Sequence, residues 1–215
     1  YRFKKAEDAN KACLPCHEER VNNAPAHTHH EEGRPGSKCI SCHMPMTSFA
    51  RMNRSDHSML PPAPAATMAF ESPNACNLCH TDRDAAWADK QVREWRARDY
   101  QAPLLHRARL IDAARKRDWS KREEMLHYIG SSDRNEVFAV SLIRMIPPSD
   151  DPKILEILLK AADDPSPLVR AAAMEALAMA PSQQGLKTLA AAASDSVRLV
   201  RIRAAAALSA YPDLK

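Results

Sequence analysis

The six cysteines of this chain fall into three copies of one frame, Cys-x-x-Cys-His. The copies are Cys13-Leu14-Pro15-Cys16-His17, Cys39-Ile40-Ser41-Cys42-His43 and Cys76-Asn77-Leu78-Cys79-His80, and no cysteine is left over. Two thiols at this spacing can bond the two vinyl groups of one porphyrin. The histidine that follows can then reach the iron from the proximal side. The frame therefore predicts three covalently bound haem c groups, anchored by Cys13, Cys16, Cys39, Cys42, Cys76 and Cys79. His17, His43 and His80 are the expected proximal ligands. Zinc fits less well, because three pairs fill one and a half four-cysteine sites and the metal has no need of the adjoining histidine. A dithiol redox site wants one pair in a βαβ setting, and disulfides would leave the repeated histidine without a role.

The sixth ligand decides the chemistry. An iron held by two imidazoles shuttles electrons, whereas a five-coordinate iron can bind and reduce small molecules. Four further histidines lie among the motifs: His27, His29, His30 and His57. His57, His29 and His30 are the candidate distal ligands, with His27 placed behind them. Met44 and Met46 follow the second motif too closely to cross over the same haem and are expected at a porphyrin edge. Met52, Met59 and Met68 stand as alternative distal donors. His106 and His127 are expected on the surface or in packing. Nothing in the sequence marks an acid group above an open iron, so no catalytic residue is assigned.

The segments that must position these groups change character near residue 100. Residues 1–80 hold all six cysteines and seven of the nine histidines, with many prolines and few apolar runs. Such a segment buries too little side-chain surface to fold alone, so porphyrins are expected to supply its core and the apo form to be largely unfolded. The motifs begin at positions 13, 39 and 76, so 26 and 37 residues separate them. With so little chain per cofactor the porphyrins must sit close together. Residues 81–99 are predicted as a helix capped by Thr81 or Asp82, with Ala88, Val92 and Trp95 on one face. Trp87 and Trp95 would pack on a porphyrin or a neighbouring helix.

Beyond residue 103 the pattern is helical, with Pro103, Pro152 and Pro167 at or near first turns, where proline is tolerated. The segment from Asp164 to Leu177 aligns with that from Asp195 to Leu208 at a spacing of 31 residues, sharing an aspartate, Leu-Val-Arg and alanines. A fainter copy starts at Asp133. Partner helices are expected at Lys153–Ala162 and Gln184–Ala193. This period fits short HEAT-like repeats stacked as an α-solenoid. The fold class expected is thus mainly α: a loop-rich trihaem c domain over residues 1–100, its haems serving as core, followed by a HEAT-like solenoid over residues 101–215.

The formal charge of +4 is spread among carboxylates, and no basic stripe marks a nucleic-acid site. Haem propionates would bring the holoprotein nearer neutral. No apolar run of about 18 residues provides a transmembrane segment. Because haem c is attached outside the cytoplasm, a signal peptide is expected upstream, with Tyr1 a processed or truncated start. The location expected is periplasmic or extracellular.

The runs His27-Thr-His-His30, Gly36-Ser-Lys-Cys39-Ile-Ser-Cys-His43-Met44-Pro45, Asp56-His57-Ser58, Pro73-Asn74-Ala75-Cys76-Asn77-Leu-Cys79-His80-Thr-Asp82 and Ala86-Trp87-Ala88 lead to Val92 and Trp95. Together with Val200-Arg201-Ile202-Arg203-Ala204-Ala205, they give the chain a likeness over almost its whole length. It resembles bacterial multihaem c-type cytochromes that carry HEAT, and often tetratricopeptide, repeats. The resemblance implies a secreted protein of respiratory or extracellular electron transfer, corresponding to the trihaem-plus-HEAT portion of longer relatives.

The function expected is electron transfer through closely packed, mostly bis-histidine haems to a partner cytochrome, a reductase or an extracellular acceptor. The solenoid would serve docking or assembly, including self-association as a homo-oligomer or filament. Two other classes are weighed: a reductase of a small nitrogen or sulfur oxyanion with one open haem, and an interaction module in which haems serve mainly as core.

Overall fold

The computed structural model describes residues 6–149 and 151–211, apart from the side chains of Ala6, Glu7 and Phe49. The chain divides into two compact units, Tyr1–Leu105 and His106–Lys215.

The first unit is made of short pieces. A 3-10 segment Ala6–Cys13 precedes α1 (Glu18–Asn22) and α2 (Ala24–Thr28). A second 3-10 turn, Pro35–Ser37, leads to α3 (Cys39–His43), the hairpin β1 (Met46–Phe49) and β2 (Met52–Ser55), and α4 (Pro64–Phe70). The third 3-10 turn, Cys76–Leu78, comes before α5 (Ala85–Trp95). Prolines open α2 and α4, where their missing N–H costs nothing. The hairpin is an addition to the mainly α, loop-rich expectation. Its strands pair antiparallel from Met46↔Ser55 to Phe49↔Met52, and the turn holds Ala50 and Arg51 at φ 49° and 65°. A two-residue turn of that kind ordinarily takes Asn-Gly, so nothing local announced it. Helix α5 starts later than expected, because Asp84 is the residue whose side chain accepts the Trp87 N–H, at 2.8 Å.

The interior of this unit is thin. Its buried apolar residues are Ala9, Ala24, Ala65, Ala75, Ala88 and Val92 beside Pro64, while Met46, Met52, Met59 and Met68 are each more than half exposed, between 51% and 59%. Polar ties do much of the holding. Buried Gln101 accepts the Ala65 N–H at 3.0 Å and donates to Asp89 at 2.7 Å, which links α4 to α5. The Tyr100 hydroxyl donates to the Pro62 carbonyl at 2.5 Å.

Helix α6 (Ala102–Arg115) carries the chain past the division, and a 3-10 turn at Trp119–Lys121 follows. The second unit continues with α7 (Arg122–Gly130), α8 (Glu136–Met145), α9 (Pro152–Ala162), α10 (Pro167–Met179), α11 (Gln183–Ala192) and α12 (Arg198–Leu208). These helices pack in two rows: α8, α10 and α12 in one, α7, α9 and α11 in the other. The expected partner helices are therefore α9 and α11, within a residue at each end. Leu110, Met125, Leu142, Ile143, Val169, Met174, Leu177, Leu189 and Val200 form a continuous core with Ala139, Ala172, Ala173 and Ala204 at the contacts. Small side chains there let the helices approach closely.

A ladder of arginines and aspartates fastens successive repeats. Arg170 donates twice to the Asp195 carboxylate, at 2.9 and 3.0 Å, and once to the Asp164 carbonyl at 2.8 Å. Arg201 repeats the second contact on the Asp195 carbonyl, also at 2.8 Å. Arg134 makes the corresponding ion pair to Asp164 from a different position in its repeat. The Asp195 carboxyl is held below its usual range chiefly by the Arg170 hydrogen bonds.

Candidate cofactor-binding site

Each motif closes one helical turn. The His17 N–H donates to the Cys13 carbonyl at 3.0 Å, and the His80 N–H to the Cys76 carbonyl at 2.9 Å. The second motif is α3 itself. Positions i, i+3 and i+4 of such a turn share one face, so both thiols and the histidine of each motif are presented together.

Two asparagines outside the frames hold these turns in place. Asn10 accepts the Cys39 N–H at 2.9 Å and donates to the Ser37 carbonyl at 3.0 Å. Asn74, which is buried, accepts the N–H groups of Cys76 and Asn77 at 3.0 and 3.2 Å while donating to Thr67 at 2.9 Å. The second arrangement is a local Asx turn, whose signal is an asparagine two residues ahead of the cysteine. Asn10 carries no such signal, because its partner lies in another motif.

The three motifs share one neighbourhood. The Cys39 thiol is pushed up to about 11, first by burial and then by the Cys13 thiol beside it. Cys42 is pushed up to about 11 by burial and by the nearby Cys76 and Cys79. Burial raises Cys76 as well. The first and second motifs are thus adjacent, and so are the second and third.

The histidines outside the motifs sort into different situations. His27 faces His43 with ring centroids 6.3 Å apart and planes inclined by 9°. His30 faces His80 at 6.0 Å and 42°. Metal–imidazole bonds of about 2 Å, with each ring centroid about 1 Å beyond its nitrogen, place two imidazoles on one metal roughly 6 Å apart. The donor set and its spacing therefore match two imidazoles sharing one metal ion. His30 Nδ1 donates to the Thr28 carbonyl at 2.7 Å, and His57 Nδ1 to the Ser55 carbonyl at 2.8 Å. A carbonyl only accepts, so in both rings the proton sits on Nδ1 and Nε2 is free to bind a metal. Gly36 gives His30 its seat, since a Cβ there would lie 2.4 Å from the ring.

Three residues of α5 and its end touch this set. Trp87 tilts against His80 at 4.8 Å and Trp95 stacks on His29 at 4.3 Å and 12°. Arg96 donates to the His27 carbonyl at 3.1 Å and to His27 Nδ1 at 3.4 Å, so this Nδ1 accepts where those of His30 and His57 donate. Burial first, and then Arg96, holds His27 below the usual histidine range. His17 and His57 are exposed, and among the described residues neither ring faces another histidine. Met44 is half-buried and Met46 exposed. In the second unit, His106 pairs with Glu124 at 3.4 Å and His127 is exposed.

Residues 26–125 match the family model described as cytochrome c552, and residues 107–209 match that of HEAT repeats. No curated protein and no solved structure matches the chain. No helix among the described residues is long and apolar enough to cross a membrane.

Proposed function

We propose that this chain, a cytochrome c-type domain followed by a HEAT-repeat domain, is a multihaem electron carrier with three covalent haem c groups. Cys13 and Cys16, Cys39 and Cys42, and Cys76 and Cys79 are the thioether anchors, and His17, His43 and His80 the proximal ligands. The observation that carries the reading is the pairing of two of these with histidines outside the motifs, His27 with His43 at 6.3 Å and His30 with His80 at 6.0 Å. His27 and His30 are then distal residues for the second and third motifs. His57, with Nδ1 already engaged, is the candidate for the first.

Bound haem iron supplies a one-electron couple. The protein's own contribution would be to hold the second and third groups each between two imidazoles, His27 with His43 and His30 with His80, which would leave substrate no coordination site there. The exposed Met46, Met52, Met59 and Met68 offer apolar surface for a porphyrin to cover. The nearness of the thiols of successive motifs keeps the cofactors within short range of one another. The expected partners are a cytochrome, a reductase or an extracellular acceptor. The HEAT-repeat domain serves docking or assembly, up to self-association in a filament, in the periplasm or outside the cell.

A pyridine haemochrome assay on the purified holoprotein should give three haems per chain, with low-spin ferric spectra. A count near zero overturns the reading. A high-spin signal that binds carbon monoxide would move it to a reductase of a small nitrogen or sulfur oxyanion with one open iron.

A further inference from the structure

The segment from His27 to His30 places two imidazoles opposite two different motifs. His27 lies in α2 and faces His43, whereas His30 lies just past that helix and faces His80. Between them His29 caps α2 in the left-handed conformation, φ 58° and ψ 28°, with its N–H on the Pro25 carbonyl at 2.8 Å. That backbone turn ends the helix and redirects the chain, so that residues on either side of it face different neighbours. A non-glycine residue in this region is uncommon and is held there by its surroundings.

Two contacts do the holding. The His29 ring lies on Trp95 at 4.3 Å and 12°, near-parallel stacking of two aromatic faces. One residue further, Arg96 donates to the His27 carbonyl at 3.1 Å. Both contacts come from the end of α5, which is itself tied through Asp89 to the buried Gln101. His29 thus meets an indole where His27 and His30 each meet a motif histidine.

We propose that His29 is a positioning residue rather than an axial ligand. Stacked on Trp95, it pins the turn that aims His27 at the second motif and His30 at the third. One stack therefore sets the axial geometry of two cofactors together. The inference rests on the reading of His27 and His30 as distal ligands.

The test is electron paramagnetic resonance of the ferric holoprotein, with haem counted by pyridine haemochrome on every sample. In His29→Ala and Trp95→Ala, two of the three low-spin signals should shift together and the third should stay, with three haems retained. His29→Phe keeps an aromatic face but no ligating nitrogen, and Trp95→Phe keeps a partner for it, so both should match the parent spectrum. The left-handed backbone burdens Phe and Ala alike, which makes the two His29 variants a matched pair. A new high-spin signal in His29→Phe overturns the proposal, because it identifies His29 as a ligand. Alanine variants with unchanged spectra overturn it too, as does a change confined to one signal. A parent protein with fewer than three haems, or without bis-imidazole signals, would instead strike the underlying electron-carrier reading.

Discussion

Asn10 and Cys39 stand 29 positions apart, yet the Asn10 side chain accepts the Cys39 N–H at 2.9 Å and so fixes the start of the second motif from the segment leading into the first. Removing this acceptor leaves the amide without its partner, at a cost of about 1 kcal/mol. Asn10→Ala should therefore lower the share of chains with haem on Cys39 and Cys42, as counted by mass spectrometry of the tryptic peptides. Asn10→Asp, which keeps the accepting oxygen but loses the donor to the Ser37 carbonyl, should recover part of it.

His27→Ala and His30→Ala should each open one axial position on a different cofactor. Each single variant is expected to show one high-spin haem per chain that binds carbon monoxide, and the double variant two. If either variant kept a wholly low-spin spectrum, that histidine would be no ligand.

The described residues of the first unit bury only alanines, Val92 and Pro64 as apolar side chains, too little to hold the fold on their own. Apo protein should be cut by proteases within residues 6–105, while a fragment beginning near residue 106 survives and keeps its helical circular dichroism. A protected N-terminal fragment would mean that the side chains suffice.

In the second unit, Leu142 and Leu177 are at most 1% exposed and lie within one core. Leu142→Ala or Leu177→Ala should cost about 2–5 kcal/mol in denaturant unfolding of that unit. Met52→Ala, at an exposed strand position, should leave the same transition unmoved.

Asp195 accepts two hydrogen bonds from Arg170, which hold its carboxyl below its ordinary value of 3.8. A depressed folded-state value means that this carboxylate stabilises the fold above about pH 4, where the unfolded carboxyl is also ionised. That contribution is lost as the pH falls through the folded value. Acid unfolding of the HEAT-repeat domain, followed by circular dichroism, should therefore steepen below about pH 4. Asp195→Asn should be less stable at pH 7 and lose part of that steepening.

The three motifs and the 31-residue repeat were legible because both are local patterns. A cysteine frame is set by one helical turn, and the repeat recurs with Leu168-Val169-Arg170 and Leu199-Val200-Arg201 in the same place. The β1–β2 hairpin was hidden, since Ala50 and Arg51 carry none of the usual turn residues. The roles of His27, His29 and His30 were not separable by composition. Which of three neighbouring imidazoles faces which motif depends on a backbone turn at His29 and on Trp95, contributed by a helix more than sixty residues later. Asn10 carries no local signal for the same reason: its partner is distant in sequence.

The Arg–Asp ladder bears on how such a domain can change its length. The carboxylates at the heads of two successive repeats are gripped by a guanidinium from the repeat before, Asp195 by Arg170 and Asp164 by Arg134. These two junctions therefore carry their own fastenings and ask nothing of the next but one. Insertion or loss of a whole 31-residue block leaves each remaining joint with both of its halves. Arg134, reaching its aspartate from another place in its repeat, indicates that the joint tolerates a change in where the cation originates. The scaffold is thus extensible by duplication, while the motif-bearing unit, whose motifs brace one another across the sequence, is not.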